Sequence, residues 1–149
     1  MHHAENRKNM KYIPFISLLF FIASLSALSF AGSQDYKCKI ERVSFAEGYD
    51  SDTYKMFAKA FIGEEFTVDR KTGLMVGSLK NSYVTSPQVI DIGSSENSYK
   101  VVSTMRVSEG AGAGSNIYAL NVEEFVEGPT KPFIFLQNNK VFFGACEHF

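Results

Sequence analysis

Between Tyr36 and Phe149 apolar and polar residues alternate with period two more often than with any other, and turn residues interrupt them about every ten positions. That rhythm predicts antiparallel strands with one buried and one wet face. Tyr36, Cys38 and Ile40 alternate with Lys37, Lys39 and Glu41 in the first strand. Phe66 and Val68 alternate with Thr67 and Asp69 in a second, and Arg70 to Gly73 then forms a polar turn into Leu74, Met75 and Val76. Gly73 supplies the positive φ that closes such a hairpin. Gln88 to Ile92 and Tyr99 to Met105 form another hairpin through GSSEN, with Pro87 suited to a strand start. The remaining strands are expected at Ile117 to Phe125, Phe133 to Leu136 and Val141 to Cys146, with turns at Gly128 to Pro132 and Gln137 to Lys140.

One stretch departs from the rhythm. Tyr54, Phe57, Ala58 and Phe61 fall at i, i+3, i+4 and i+7, behind Ser51 or Asp52 as cap and ahead of Gly63 as a stop. This predicts one short N-terminal helix of the domain, although Met56, Ala58, Ala60 and Ile62 would also suit a strand. Seven or eight strands with one short helix make a mainly β domain. The expected architecture is an antiparallel barrel-like meander, with a compact β-sandwich as the alternative. Short connections favour the barrel, and closure would remove exposed edges.

Upstream, the pattern changes again. Arg7, Lys8 and Lys11 precede the uncharged run IPFISLLFFIASLSALSF at Ile13 to Phe30, and Ser29 and Ala31 put small residues at minus three and minus one of a cut before Gly32. This is the order of a signal peptide, with cleavage expected between Ala31 and Gly32. An uncleaved anchor is the competing reading, which the length permits. Met10 is a second candidate start that keeps the same signal. No Cys follows closely, which argues against a lipoprotein anchor.

Residues 32–149 then form one domain of 118 residues, with 12 basic and 15 acidic side chains and a net charge of −3. That balance gives no electrostatic reason to expect nucleic acid, and no membrane is expected once the signal is removed. Both cysteines of the chain, Cys38 and Cys146, stay in the exported domain, where an even pair is most simply a disulfide. It would join the first strand to the last and stabilise the fold by about 4–5 kcal/mol in the chain-entropy model. The expected location is periplasmic or secreted.

Searches for chemistry return little. GxSxG is absent, and no Lys of the exported domain has a Ser three positions before it. His148 is the domain's one His and lies beside a chain end, a poor place to be held rigidly. With no CxxC and one His, zinc lacks ligands, and no metal or other cofactor is expected. Gly110, Gly112 and Gly114 lack the ending of a phosphate loop, and Asp50 and Asp52 lack the Gly and closing Glu of a calcium loop. Glu123, Glu124 and Glu127 read as a solvated edge rather than a carboxylate pair for glycoside hydrolysis. The domain is therefore expected not to be an enzyme.

The aromatic residues carry more information. Phe133 and Phe135 fall on one face of their strand while Ile134 and Leu136 fall on the other, so the strand is apolar on both sides. The second face needs a cover: the helix, another sheet, a partner protein or an apolar ligand.

FTVDRKTGLMVG at Phe66 to Gly77, KPFIFL at Lys131 to Leu136 and FFGAC at Phe142 to Cys146 resemble a group of small, uncharacterised exported proteobacterial proteins. The resemblance implies a Gram-negative periplasm and transfers no functional residues. As a small exported β domain with a terminal disulfide, the chain is also similar to periplasmic lysozyme inhibitors, without a motif that matches residue by residue. The expected function is a non-enzymatic periplasmic binding or interaction domain with an unknown protein partner. Its contacts are placed on Asp69, Arg70 and Lys71 to Gly73 at the hairpin tip and on the Glu109 to Asn116 loop. The alternatives are a small barrel that carries an apolar small molecule, or a lysozyme-inhibitor-like protein.

Overall fold

Alternating residues that bury every second side chain build eight antiparallel strands in the computed structural model, which describes residues 34–46, 51–81, 86–109 and 114–149. They are β1 (Tyr36–Phe45), β2 (Glu65–Val68), β3 (Met75–Gly77), β4 (Gln88–Ile92), β5 (Tyr99–Met105), β6 (Asn116–Val122), β7 (Thr130–Gln137) and β8 (Lys140–His148). All eight belong to one curled sheet in the order β3-β2-β1-β8-β7-β6-β5-β4. The meander is therefore a half-barrel. Its first and last strands pair, and its two edges are β3 and β4. A single sheet is not a sandwich.

The inner face holds the core. Tyr36, Cys38, Ile40, Phe66, Val68, Tyr99, Leu120, Val122, Phe133, Phe135, Phe142 and Cys146 are each no more than 2% exposed. Their rings interlock, with Phe66 edge-on to Phe133 at 5.2 Å and Phe135 against Phe142 at 6.0 Å. Gly144 leaves room for the Phe133 ring, which an added Cβ would strike. Side chains thus fill the inner face of the curl, as the inward positions of small barrels are filled.

Helix α1 (Asp52–Phe61) begins where Ser51 caps the Tyr54 amide and stops before Gly63, whose φ is +90°. It lies after β1, not ahead of the first strand as an N-terminal helix would. Its amphipathic spacing aims Tyr54, Phe57 and Phe61 at the core, where Phe61 meets Phe142 at 5.3 Å and Phe45 meets Tyr54 at 4.6 Å. The helix therefore covers an end of the inner face.

Several strand ends differ from the sequence pattern: β7 starts at Thr130, inside the expected Gly128 to Pro132 turn, β8 extends to His148, and two others have a visible cause. β1 runs on to Phe45 through a bulge at Ile40/Arg42, which lets Val43 and Phe45 face inward again. β6 stops at Val122, short of Phe125, because the chain turns there. Lys131 Nζ donates to the carbonyls of Glu124 and Val126 at 3.0 and 2.6 Å and holds that turn.

The predicted disulfide is present. Cys38 and Cys146 are directly opposed in the β1–β8 ladder and close a sequence separation of 108. Among the described residues no helix is long and apolar enough to cross a membrane.

Candidate functional site

The β2–β3 hairpin tip carries Asp69, Arg70 and Lys71, and of the three only Arg70 is part-buried. Asp69 Oδ1 accepts the amides of Lys71 and Thr72 at 3.0 and 2.9 Å, which shapes the turn. Those N–H groups, Thr72 first, hold the Asp69 carboxyl below its ordinary value. Arg70 reaches over to the β4 end, donating from Nε and Nη2 to the Ile92 carbonyl at 2.9 and 2.6 Å and from Nη2 to Gly93 at 3.3 Å. Gly73, at φ +73°, lies against Val101 and Pro87. Lys71 is left facing solvent. Of the Glu109 to Asn116 loop, residues 110–113 lie outside the described residues, as do Asp50 and the Ala31/Gly32 cleavage site.

At one end of the sheet, side chains distant in sequence meet. Tyr36 donates its phenol proton to Glu124 Oε1, and His148 Nε2 lies 2.9 Å from the same oxygen. His148 Nδ1 is 3.3 Å from the Gln34 carbonyl, and its ring packs on Tyr36 at 4.9 Å. Tyr99 also packs on Tyr36, at 5.1 Å, with the Arg70 guanidinium 5.5 Å from the Tyr36 ring. Burial first, and for Tyr36 also the bond to Glu124, raises both phenols far above their ordinary value. Both phenols therefore stay protonated. Tyr99 Oη is buried with no hydrogen-bond partner among the described residues.

This cluster corrects two expectations. His148 is held on both ring nitrogens rather than left loose near a chain end. Glu124 is buried under Tyr36 and His148, with a side chain only 9% exposed, rather than solvated. The sequence held a signal for part of it. Partners in an antiparallel ladder step in opposite directions, so Cys38 opposite Cys146 puts Tyr36 opposite His148 two steps along, as observed. Glu124 comes from a turn that no local pattern points to.

His148 has both ring nitrogens within hydrogen-bond reach of acceptors, the Gln34 carbonyl and the Glu124 carboxylate. The Tyr36 proton is committed to Glu124. What the arrangement does is join the start of β1, the turn after β6 and the end of β8. Among the described residues no three His, Cys, Asp or Glu side chains gather to hold a metal.

The outer face differs. Partners across strands share a face, so Asn121, Ile134, Phe143 and Arg42 form one row from β6 to β1. Val102, Ala119, Leu136 and Val141 form the next. Ile134 is 41% exposed, and Leu136, Val141 and Phe143 are half-buried. Helix α1 packs on inner-face residues, so the second apolar face of β7 has no cover among the described residues. An open groove of about 430 Å³ lies over β4 and β5, lined by Ser86, Gln88, Val102, Thr104, Arg106 and Glu109.

Comparison with family models, curated proteins and solved structures finds no match for this chain.

Proposed function

We propose that this is an exported, non-enzymatic interaction domain that binds a partner protein with the outer face of β6, β7 and β8. The observation that carries this reading is the uncovered apolar face at Ile134, Leu136 and Val141, with Phe143 beside it under Arg42, on the side of the sheet away from the helix. A polar sheet surface would need no cover, whereas a contiguous apolar one marks an interaction site. The disulfide fits an oxidising compartment, which supports export to the periplasm or beyond.

Two observations favour this surface over the alternatives. The inner face is filled by interlocked rings, which counts against a carrier for an apolar small molecule. At the hairpin tip Arg70 is committed to the Ile92 and Gly93 carbonyls and Asp69 Oδ1 to the turn's own amides, which leaves Lys71 as the exposed side chain there with no such bond. Site-specific photocrosslinking in the producing cells tests the reading. Benzophenone groups placed at Ile134 and Leu136 should give a discrete protein adduct, and one at Lys71 should not. Adducts from Lys71 alone, or from none of the three, would overturn it, and native mass spectrometry showing retained lipid would favour the carrier.

A further inference from the structure

The apolar rows are bordered on one side by charge. On β1, Lys39 and Arg42 stand next to Ala145 and Phe143 of β8 on the outer face. The Arg42 guanidinium lies over the Phe143 ring, 3.5 Å from its centroid, and donates from Nη1 to Ser44 Oγ at 3.2 Å. Among the described residues neither Arg42 nor Lys39 joins an ion pair, whereas the neighbouring Lys37 is bound to Glu65 at 2.9 Å. A guanidinium has five N–H donors in a fixed fork, and stacking on an aromatic ring removes much of the entropy cost of aiming it. The face therefore combines an apolar centre with one preorganised cation at its edge, Arg42, which joins no ion pair among the described residues, whereas Lys39 stands opposite Glu65 in the β1–β2 ladder with Glu41 and Glu147 near it.

From this, and resting on the reading of the outer face given above, we infer that the partner is a protein segment that sets apolar side chains on Ile134, Leu136 and Val141 and a carboxylate on Arg42. Charge complementarity selects it. A second copy of this chain fits poorly. The rows of a second copy offer Arg42 no carboxylate short of Asp91, which is already paired with Lys100 at 4.0 Å. A lipid surface also fits poorly, because interfacial binding buries an apolar face some 5–10 Å deep and these side chains are half-buried in their own sheet.

Selection from a phage library of random dodecapeptides on the oxidised domain tests this. The expected result is enrichment of sequences with Asp or Glu beside Leu, Ile or Phe, whose binding weakens with salt and shifts the amide signals of residues 119, 134–136 and 141–143. Arg42→Gln should weaken binding at least about tenfold, and Arg42→Lys, which keeps the charge but loses the fork, should fall between. An amide spectrum unchanged outside the neighbours of residue 42 verifies that the variants fold. Enriched peptides that are basic or neutral, or that bind Arg42→Gln as well as wild type, would overturn the inference while leaving the outer face as the binding surface if the same amides shift. No enrichment, or stronger binding to phosphatidylglycerol vesicles than to any peptide, would overturn the inference as well.

Discussion

Strands β1 and β8 meet through a ladder running from Tyr36 opposite His148 to Phe45 opposite Lys140, with a disulfide across it. Strands β3 and β4, the two edges of the same sheet, have no ladder between them among the described residues. There the closure is made by side chains. Asn81, 1% exposed on the connection after β3, accepts the Met75 amide at 2.8 Å and donates to the Gly73 carbonyl at 3.0 Å and to Ser103 Oγ at 3.3 Å. Arg70 makes the second bridge, to Ile92 and Gly93. A ladder spreads its stability over many backbone bonds, whereas a side-chain clasp concentrates it in two residues. One substitution can therefore open the second closure but not the first.

The largest effect is expected from the covalent part of the first closure. Replacing Cys38 and Cys146 together with Ala should lower stability by about 2–5 kcal/mol in urea unfolding, as loss of a long-range disulfide does in small exported domains. The β1–β8 amides should keep their relative order of protection from hydrogen exchange, because the ladder remains. Collapse of protection in β1 and β8 alone would show that the disulfide, not the ladder, makes this closure.

Next comes the clasp. Asn81→Leu leaves the Met75 amide and the Gly73 carbonyl without their buried partner, at about 2–3 kcal/mol. Exchange should accelerate first at Met75 and in the β2–β3 hairpin, with β1 and β8 unaffected below the global unfolding limit. Uniform acceleration over all eight strands would mean that the edges are not independent of the closed side.

The two stacked tyrosines sharpen the contrast at smaller magnitude. Tyr36→Phe removes a hydrogen bond to a carboxylate and should cost about 1–2 kcal/mol. Tyr99→Phe removes a buried hydroxyl that has no partner, and should be neutral or stabilising by up to about 1 kcal/mol. Equal losses in thermal unfolding would show that an ordered water serves Tyr99.

The split between closures also marks what could be read from the chain. Local pattern placed each strand core, the Gly73 turn and a helix cap at Ser51 or Asp52, of which the structure uses Ser51, because each depends on neighbours a few residues away. The disulfide then fixed β1 beside β8 and, by register, Tyr36 beside His148. The open edges were not legible, since they depend on Asn81 meeting Gly73, Met75 and Ser103 across a gap that no pattern in the sequence encodes. Nor was the helix's choice of face. Its aromatic stripe matches either side of β7, and it packs on the inner side, where Phe45, turned inward by the bulge in β1, meets Tyr54 and Phe57 and Phe142 meets Phe61.

The smallest expected effect concerns the tip that holds Arg70 in place. Asp69 shapes this turn by accepting the Thr72 and Lys71 amides, and those bonds depress its pKa. A carboxyl whose folded pKa lies below its unfolded value, about 3.9 for Asp, contributes stability that is complete well above that value and is lost as pH falls through the folded pKa. Asp69→Asn should therefore differ from wild type at neutral pH and converge with it below about pH 4. Because Asp69 is exposed, the difference should be small and best seen in amide exchange at Lys71 and Thr72. Acid should loosen the tip, and with it the Arg70 bridge, before it opens the β1–β8 ladder, whose backbone bonds and disulfide do not titrate. If the β1 and β8 amides lose protection at the same pH as the tip, the two closures are one cooperative unit.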